Sequence, residues 1–399
     1  MDFTLTEDQK MLRTMVRDIA LSDIEPEAAR VDEEAVFPET GIKKLAELGL
    51  MGIPFPEEYG GAGAGSVEFA IAVEELARVC ASTAAIYFVT AGLAAKPIYF
   101  FGNEEQKQRF LTPVARGDKI ACFALTEAGA GSDATNIQTT ATRVTGGYVL
   151  NGNKIFITNG KEADIAVVFA TIDKSLKQKG ITAFIVEKGT PGFSVGKLEH
   201  KLGIRGSSTA ELVFEDCFVP EENRLADEGD GFKIAITAID TSRISVAAQA
   251  VGIAQGAFDK AIEYAQERQQ FGKALSQHQA IQWMLSDMAT RIEAARLMVY
   301  HAAFLEEAGL PFTRESCMAK LMAPEVALFA CDRAIQILGG YGYVKDSPVE
   351  RYFRDARICS IYEGTDEMQR MTIAKSLLSD FVPLVFTKPA AYEVLQPVG

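Results

Sequence analysis

The sequence predicts an α+β protein with a helical N-terminal domain, a small β-barrel or sandwich domain in the middle, and a C-terminal four-helix bundle. Three observations carry this expectation. Residues before about 119 repeat apolar side chains at helical spacing. From there to about 225, short apolar runs alternate with turn signals. From Gly231 onward the helical patterns return, and they are too long for loops between strands. The domain limits read as 1–118, 119–228 and 229–380, with an extra tail over 381–399.

The elements follow in order. Thr6-Glu7-Asp8-Gln9 matches a capping box, and Leu12, Met15, Val16 and Ile19 continue at helical spacing. Ile42, Leu45 and Leu48 mark a second helix. Gly52-Ile53-Pro54-Phe55-Pro56 breaks the helical pattern. The glycine-rich Gly60–Gly65 stretch is not G-x-G-x-x-G and follows no strand, so it reads as a flexible connection and not a Rossmann loop. Helices resume near Ser66–Val79, Ser82–Ala95 and Asn103–Phe110. Strands are expected at Ile120–Leu125, Ile165–Ile172, Ile181–Val186 and Leu212–Phe214, with turns at Gly146-Gly147 and Asn151-Gly152. Helices over Ile234–Ala265, Ile281–Leu305 and about Arg314–Leu338 form the bundle with a shorter one after Glu363. Gly339-Gly340 ends the third, as glycine commonly does. The segment Asp380–Phe386 is apolar and interrupted by proline, which reads as packing against a neighbouring subunit or hanging free, with packing favoured because free tails are more polar.

Composition excludes several function classes. A net charge of -14 argues against nucleic acid, which needs a basic surface. No apolar run reads as approaching the ~20 residues that cross a bilayer. The N-terminus lacks a basic region followed by an apolar segment, so no signal peptide is expected. Six scattered cysteines without a CxxC pair fit reduced thiols in a cytoplasmic protein. No Cys/His spacing suits a metal, and three histidines give little support to a Ser-His-Asp triad.

The chemistry-bearing stretch is Ile361-Tyr362-Glu363-Gly364-Thr365, with Gln369-Arg370 shortly after. Thr365 can cap the following helix, and Gly364 permits unusual backbone angles and close approach to a ligand. Alone, the turn fits a solvated acid as well as a reactive one. Phe123-Ala124-Leu125-Thr126-Glu127 leaves a strand and enters a loop of small residues ending at Gly131-Ser132-Asp133. Its N–H groups and hydroxyls suit a flat or anionic ligand, as they suit an ordinary surface loop. Phe156-Ile157-Thr158 ends a second strand, where an aromatic residue serves a core or a stacking surface. Asp240-Thr241-Ser242-Arg243 opens a long helix, where a guanidinium suits phosphate.

These motifs together resemble the acyl-CoA dehydrogenase family, from about residue 3 to about residue 378. The resemblance implies FAD as cofactor and Glu363 as the base of the short- and medium-chain branches. It implies cofactor contacts at Phe123, Leu125, Thr126, Gly131, Ser132, Phe156, Ile157 and Thr158. A second set is Thr365, Glu367, Gln336, Gly339 and Gly340. Arg268-Gln269-Gln270-Phe271-Gly272 and Gln279 resemble the element that reaches the FAD of a neighbouring subunit, which implies a homo-oligomer, a tetramer in relatives. Ser132, Asp240, Arg243, Tyr362 and Gly364 are implied on the acyl-CoA side. Ala128 stands where relatives have proline. Ser242 stands in the helix where the isovaleryl branch carries its glutamate base, which leaves the base to Glu363.

The implied chemistry is α-proton removal by Glu363 and β-hydride transfer to flavin. The electrons then pass to an electron-transfer flavoprotein. Desolvation is expected to raise the pKa of the base. Ala85–Ala95 aligns with the helix that forms the base of the acyl cavity in relatives: either Tyr87 and Phe88 limit acyl depth while Ala91 and Gly92 widen the space, or the helix packs against its neighbours with the aromatics in the core. The first arrangement favours a short, branched or cyclic acyl group. The alternatives are an oxygen-using acyl-CoA oxidase, a decarboxylating glutaryl-CoA-type dehydrogenase, a nitroalkane-oxidase-like enzyme and a non-catalytic CoA- or FAD-binding scaffold.

Overall fold

The structure, a computed structural model, describes residues 4–380, so the expectation for the 381–399 tail lies outside the described residues. Helix α1 (Glu7–Ile19) starts at the expected capping box: the Gln9 N–H donates to Thr6 Oγ1 at 3.2 Å, and the Thr6 N–H donates to Gln9 Oε1 at 3.0 Å. Helix α2 (Glu25–Glu34) was not legible, because only Ala28, Val31 and Asp32 of its ten residues are buried. Helix α3 is Glu39–Glu47, α4 is Ser66–Ala77, and α5 (Ala81–Phe88) runs through a π-helical turn at Val89–Ala94 into α6 (Ala95–Phe101).

Two expectations about this region are corrected. Ala81–Phe101 is long and apolar enough to cross a membrane by length and composition, yet 83% of its apolar window is buried inside the protein. It is the central core helix, and its apolarity answers to protein on all sides. The Gly60–Gly65 stretch is not a flexible connection. The N–H groups of Gly61, Ala62, Gly63 and Ala64 bond back to Pro56, Gly52, Phe55 and Ile53. A Cβ on Gly61 would stand 2.0 Å from Phe55 O. Glycine is there because two backbones touch.

The middle region is an eight-stranded sheet: β1 (Ala121–Ala124), β2 (Thr140–Val144), β3 (Gly147–Thr158), β4 (Ile165–Thr171), β5 (Ile181–Glu187), β6 (Phe193–Leu198), β7 (Thr209–Pro220) and β8 (Arg224–Leu225). Its order is β6-β7-β3-β2-β4-β5-β8, with β1 parallel to β4. Every residue of β4 is buried, as its unbroken apolar run requires. Asn151-Gly152 is not a turn. It lies inside β3, at a register shift between Leu150 and Gly152 against β7. A Cβ on Gly152 would stand 2.6 Å from Thr139 Oγ1, so the glycine admits a neighbouring strand and marks a bulge.

The C-terminal bundle comprises α7 (Gly231–Glu267), α8 (Gln279–Glu307) and α9 (Thr313–Leu338), followed by α10 (Val349–Ala356), also not anticipated, and α11 (Asp366–Ser379). Gly339, at φ 61°, stops α9 as expected. Helix α7 crosses α4 nearly backbone to backbone: a Cβ on Gly252 would stand 2.2 Å from Glu74 O. Glu74 is buried there, accepting from Arg296 Nε at 2.8 Å and Tyr300 OH at 3.0 Å. One apolar core runs through the N-terminal helices, the adjoining sheet face and the bundle. A second fills the sheet around Tyr148, Phe184, Leu212 and Phe214.

Candidate active site

The Glu363 turn begins where a 3₁₀ segment, Arg357–Ser360, ends. Glu363 and Gly364 take φ 53° and 92° in succession. For a glutamate this left-handed conformation costs roughly 1–3 kcal/mol, so its surroundings must enforce it. They do. Lys320 Nζ donates to Gly364 O at 2.6 Å, and Gln369 Nε2 donates to Gly364 O at 2.9 Å and to Glu363 O at 3.3 Å. Thr365 then caps α11, its hydroxyl accepting from the Met368 N–H at 3.4 Å.

Both Glu363 carboxylate oxygens are buried and neither has a hydrogen-bond partner among the described residues. Desolvation pushes the carboxyl up to about 7. The nearby Ser242 hydroxyl and the positive charges of Lys320 and Arg243 only partly oppose it. The Ser242 hydroxyl is itself buried and unpartnered. Arg243, one turn into the buried part of α7, is paired with Asp240, and its Nη1 lies 3.3 Å from Cys317 Sγ. Thr313 Oγ1 donates to Asp240 Oδ2 at 2.8 Å. Arg243 reaches the turn as well: a Cβ on Gly364 would stand 3.8 Å from its Nη2. So the structure brings Glu363, Gly364, Asp240 and Arg243 together, as the motifs implied.

Tyr362 packs edge-on to Phe88, ring centroids 6.2 Å apart, and its hydroxyl donates to Gln249 Oε1. Cys359 Sγ lies 3.6 Å from the same oxygen, and Gln249 Nε2 donates to Ala81 O at 2.9 Å. Gln249, Cys359 and Lys320 were missed in the sequence. The signal for two of them was present: Lys320 falls on the buried stripe of α9, and Gln249 interrupts the apolar run of α7. Tyr87 is a correction. Its ring packs against Phe69 at 5.0 Å and its hydroxyl donates to Leu50 O at 3.0 Å, so it belongs to the N-terminal core and not beside Tyr362. Gly92 faces Phe69 and Ser245.

The second half of the site lies on the sheet. Phe123 packs against Phe169 at 4.8 Å, and Leu125 and Ile157 are buried, so Leu125 and Ile157 can offer a ligand only main chain. Thr126 and Thr158 are half-buried, whereas Gly131, Ser132 and Phe156 are exposed. Phe156 stands at φ 57° in a second register shift of β3, which turns its ring out of the ladder to 59% exposure. Thr126 O accepts from the Ile155 N–H at 2.9 Å, which joins the two loops. The Glu127–Ala130 loop closes on itself through two main-chain bonds, so Ala128 leaves it no looser. Beneath it, Lys154 Nζ donates to Glu127 Oε1 at 2.6 Å and to Leu125 O at 3.0 Å. Asn159, also left-handed, donates to Ile86 O, Thr90 Oγ1 and Ala121 O. The helix that carries Phe88 to Tyr362 is thereby tied to the end of β3.

A third element is a groove of about 500 Å³ on the bundle, lined by Arg268, Gly339, Gly340 and Tyr341 among others. Nothing stands within 4 Å of a Cβ placed on Gly339 or Gly340, and the Arg268 guanidinium has no partner among the described residues. An open glycine cradle beside an uncommitted cation fits a phosphate-bearing ligand, and an exposed ring flanked by threonines fits a flat polar one. Gln336 and Gln279 are exposed and lie outside the groove lining. Phe271 is 95% exposed on a hairpin, not gathered into the groove. Thr365 serves as the α11 cap, and Glu367 is exposed beside it.

Family models for the acyl-CoA dehydrogenase N-terminal, middle and C-terminal domains match residues 6–118, 122–217 and 229–378. The chain is a member of the acyl-CoA dehydrogenase family. It is accordingly an FAD-dependent oxidoreductase. This acyl-CoA dehydrogenase is 52% identical over 374 residues to the short-chain-specific acyl-CoA dehydrogenase of Clostridium acetobutylicum, covering 94% of this chain and 99% of the relative. It is 50% identical over 380 residues to the acryloyl-CoA reductase (NADH) of Anaerotignum propionicum, covering 95% and 96%. Its fold matches, with a TM-score of 0.94 and 51% identity, a chain of the structure "Electron transferring flavoprotein of Acidaminococcus fermentans: Towards a mechanism of flavin-based electron bifurcation". That match covers 95% of this chain and all of the other.

Proposed function

We propose that this enzyme removes the α-proton and β-hydride from a short acyl-CoA thioester, giving the 2-enoyl-CoA, with Glu363 as base. The observation that carries it is the carboxylate itself, buried, unpartnered and held near neutral on an enforced turn. A base with a pKa near the working pH transfers protons most effectively. The Glu363 N–H is not used by any described residue and is free to bond the thioester oxygen as charge develops there. Arg243 and Lys320 add positive charge around the same turn. When bound, the flavin supplies the acceptor for the β-hydride.

Thr126, Thr158, Ser132 and the Phe156 ring would hold the flavin end of FAD. Arg268, Gly339 and Gly340 would hold the adenylate end, with Phe271 and Gln279 reaching a neighbouring subunit in a homotetramer. Asp240 and Arg243 would face coenzyme A. The domain limits 1–118, 119–228 and 229–380 belong to this reading. So does a cytoplasmic location, which the six free cysteines support. The Acidaminococcus match supports an electron-transfer flavoprotein as the acceptor of electrons. Phe88, Gln249 and Cys359 crowd Tyr362 and favour a short acyl chain, with branched or cyclic groups as the variants to compare.

A second reading is the reverse direction, enoyl-CoA reduction, favoured by the near-equal identity to the Anaerotignum enzyme. Anaerobic mixing with straight, branched and cyclic acyl-CoAs of increasing length should bleach the flavin fastest near four carbons. An optimum at long straight chains would overturn the size assignment. NADH-driven reduction of acryloyl-CoA, without bleaching by any saturated thioester, would establish the reverse direction instead.

A further inference from the structure

Lys320 is the unusual residue around Glu363. It is fully buried on α9, and among the described residues its ammonium has no carboxylate within ion-pair distance. Its hydrogen bond at 2.6 Å goes to a main-chain oxygen, that of Gly364. Burying a lysine without a counter-ion is expensive, and a leucine or methionine would fill the same stripe without that cost. What the lysine adds is a donor that Gly364 O accepts, plus a charge.

The position of that bond matters. Gly364 follows Glu363, and both residues are left-handed. The Gly364 carbonyl receives two donors, Lys320 from α9 and Gln369 from α11, so the turn is clamped between two helices. The charges facing Glu363 can be named element by element. From α7 come Asp240 and Arg243, which pair with each other, and the neutral Ser242. From α9 come Cys317 and Lys320, from the 3₁₀ segment Cys359, and from α11 Asp366. Phe88, from the core helix, is neutral. Arg243 is matched by Asp240, whereas Lys320 pairs with no carboxylate at ion-pair distance among the described residues and shares its charge between Asp366 and Glu363. Burial pushes its own pKa down to about 8, so it is charged through the neutral range.

We propose that Lys320 is a positioning residue for proton abstraction: its ammonium, held on Gly364 O, fixes the turn that aims Glu363 and favours the ionised base. This rests on Glu363 being the base. Removing the charge makes Glu363 harder to ionise, so the acid limb of the rate profile moves to higher pH.

The test uses FAD-loaded Lys320→Met, Lys320→Gln and Glu363→Gln enzymes, with flavin bleaching by butyryl-CoA followed by rapid mixing from about pH 5 to about pH 9. Lys320→Met should be at least ~10-fold slower and have its acid limb raised by about one pH unit. Lys320→Gln keeps a donor for Gly364 O but no charge. It should recover most of the rate at high pH while keeping the raised limb. A purely structural lysine would lower the amount of folded enzyme and leave the limb in place. If both variants keep the parent's rate and limb while Glu363→Gln is inactive, the Lys320 role is wrong and the base stands. If Glu363→Gln still bleaches rapidly, the base assignment fails first. If neither lysine variant folds and holds FAD, Lys320 determines the fold and the positioning role is overturned.

Discussion

Glu127 and Glu363 each lie near a fully buried lysine, and the two lysines act on them in opposite ways. On the sheet, Glu127 accepts from Lys154 at 2.6 Å and from the Gln138 and Thr139 N–H groups at 2.5 and 3.0 Å. Despite burial, the Lys154 ammonium and these bonds hold its carboxyl below the ordinary range. In the bundle, Lys320 turns to a carbonyl and leaves both Glu363 oxygens bare. A satisfied buried acid is inert and braces a loop; an unsatisfied one is destabilising and reactive. The difference between a strut and a base lies in where the lysine's hydrogen bonds go.

Four measurements press on that contrast. The largest effect is expected from Glu363→Gln, which should lower flavin reduction by acyl-CoA by ~10²–10⁴-fold and leave FAD bound. A loss of less than about tenfold would place the base elsewhere. Next, Lys154→Met strands Glu127 in a buried site. We expect about 3–5 kcal/mol of destabilisation, read as a lower unfolding midpoint, and poorer FAD retention. An unchanged midpoint would show that the couple is not a strut.

The third effect is smaller and concerns pH. The folded carboxyl of Glu363 is raised to about 7, so its ionisation opposes folding. The stability linked to this group is present below the ordinary carboxylate range and is lost as pH rises through about 7. Glu363→Gln should therefore be more stable than the parent at pH 8, by at most about 3 kcal/mol, and the gap should close in acid. Turnover should show the opposite trend and fall below pH 7 as the base protonates. Parallel stability curves for the two proteins would contradict a desolvated carboxylate. The smallest effect is Arg268→Ala, which should raise the FAD dissociation constant about tenfold or more without moving the acid limb. Full cofactor retention after extensive dialysis would remove the arginine from the adenylate site.

Much of this was legible because local patterns and tertiary structure agree. The Thr6 capping box, the β4 apolar run and the Gly339 stop are each written in a few adjacent residues. The site motifs were legible for the same reason, since Tyr362, Glu363, Gly364 and Thr365 are contiguous. What failed depended on distant neighbours. Asn151-Gly152 looks like a turn, but Thr139 crowds against Gly152 and requires a bulge. Tyr87 looked like a stop for the acyl chain until helix rotation placed its hydroxyl on Leu50 O. Gln249 and Lys320 were overlooked because a polar residue in an apolar helix says that a partner exists, not which one. Their partners, Tyr362 and Gly364, stand 113 and 44 residues away.

The core helix over Ala81–Phe101 also bears on how the chain is made. Asn159, which bonds to its middle at Ile86 O and Thr90 Oγ1, leaves the ribosome 73 residues after Ile86. Tyr362, which meets Phe88, follows only after the whole sheet and most of the bundle. Until both arrive, a stretch apolar enough for a bilayer is covered only by the N-terminal elements, through contacts such as Tyr87 with Phe69 and Leu50. Its contacts are non-local, which makes burial slow, and exposed apolar surface during that interval invites aggregation. Truncated products that stop before the bundle are therefore expected to precipitate more readily than the 399-residue chain, which a sedimentation assay of the two checks.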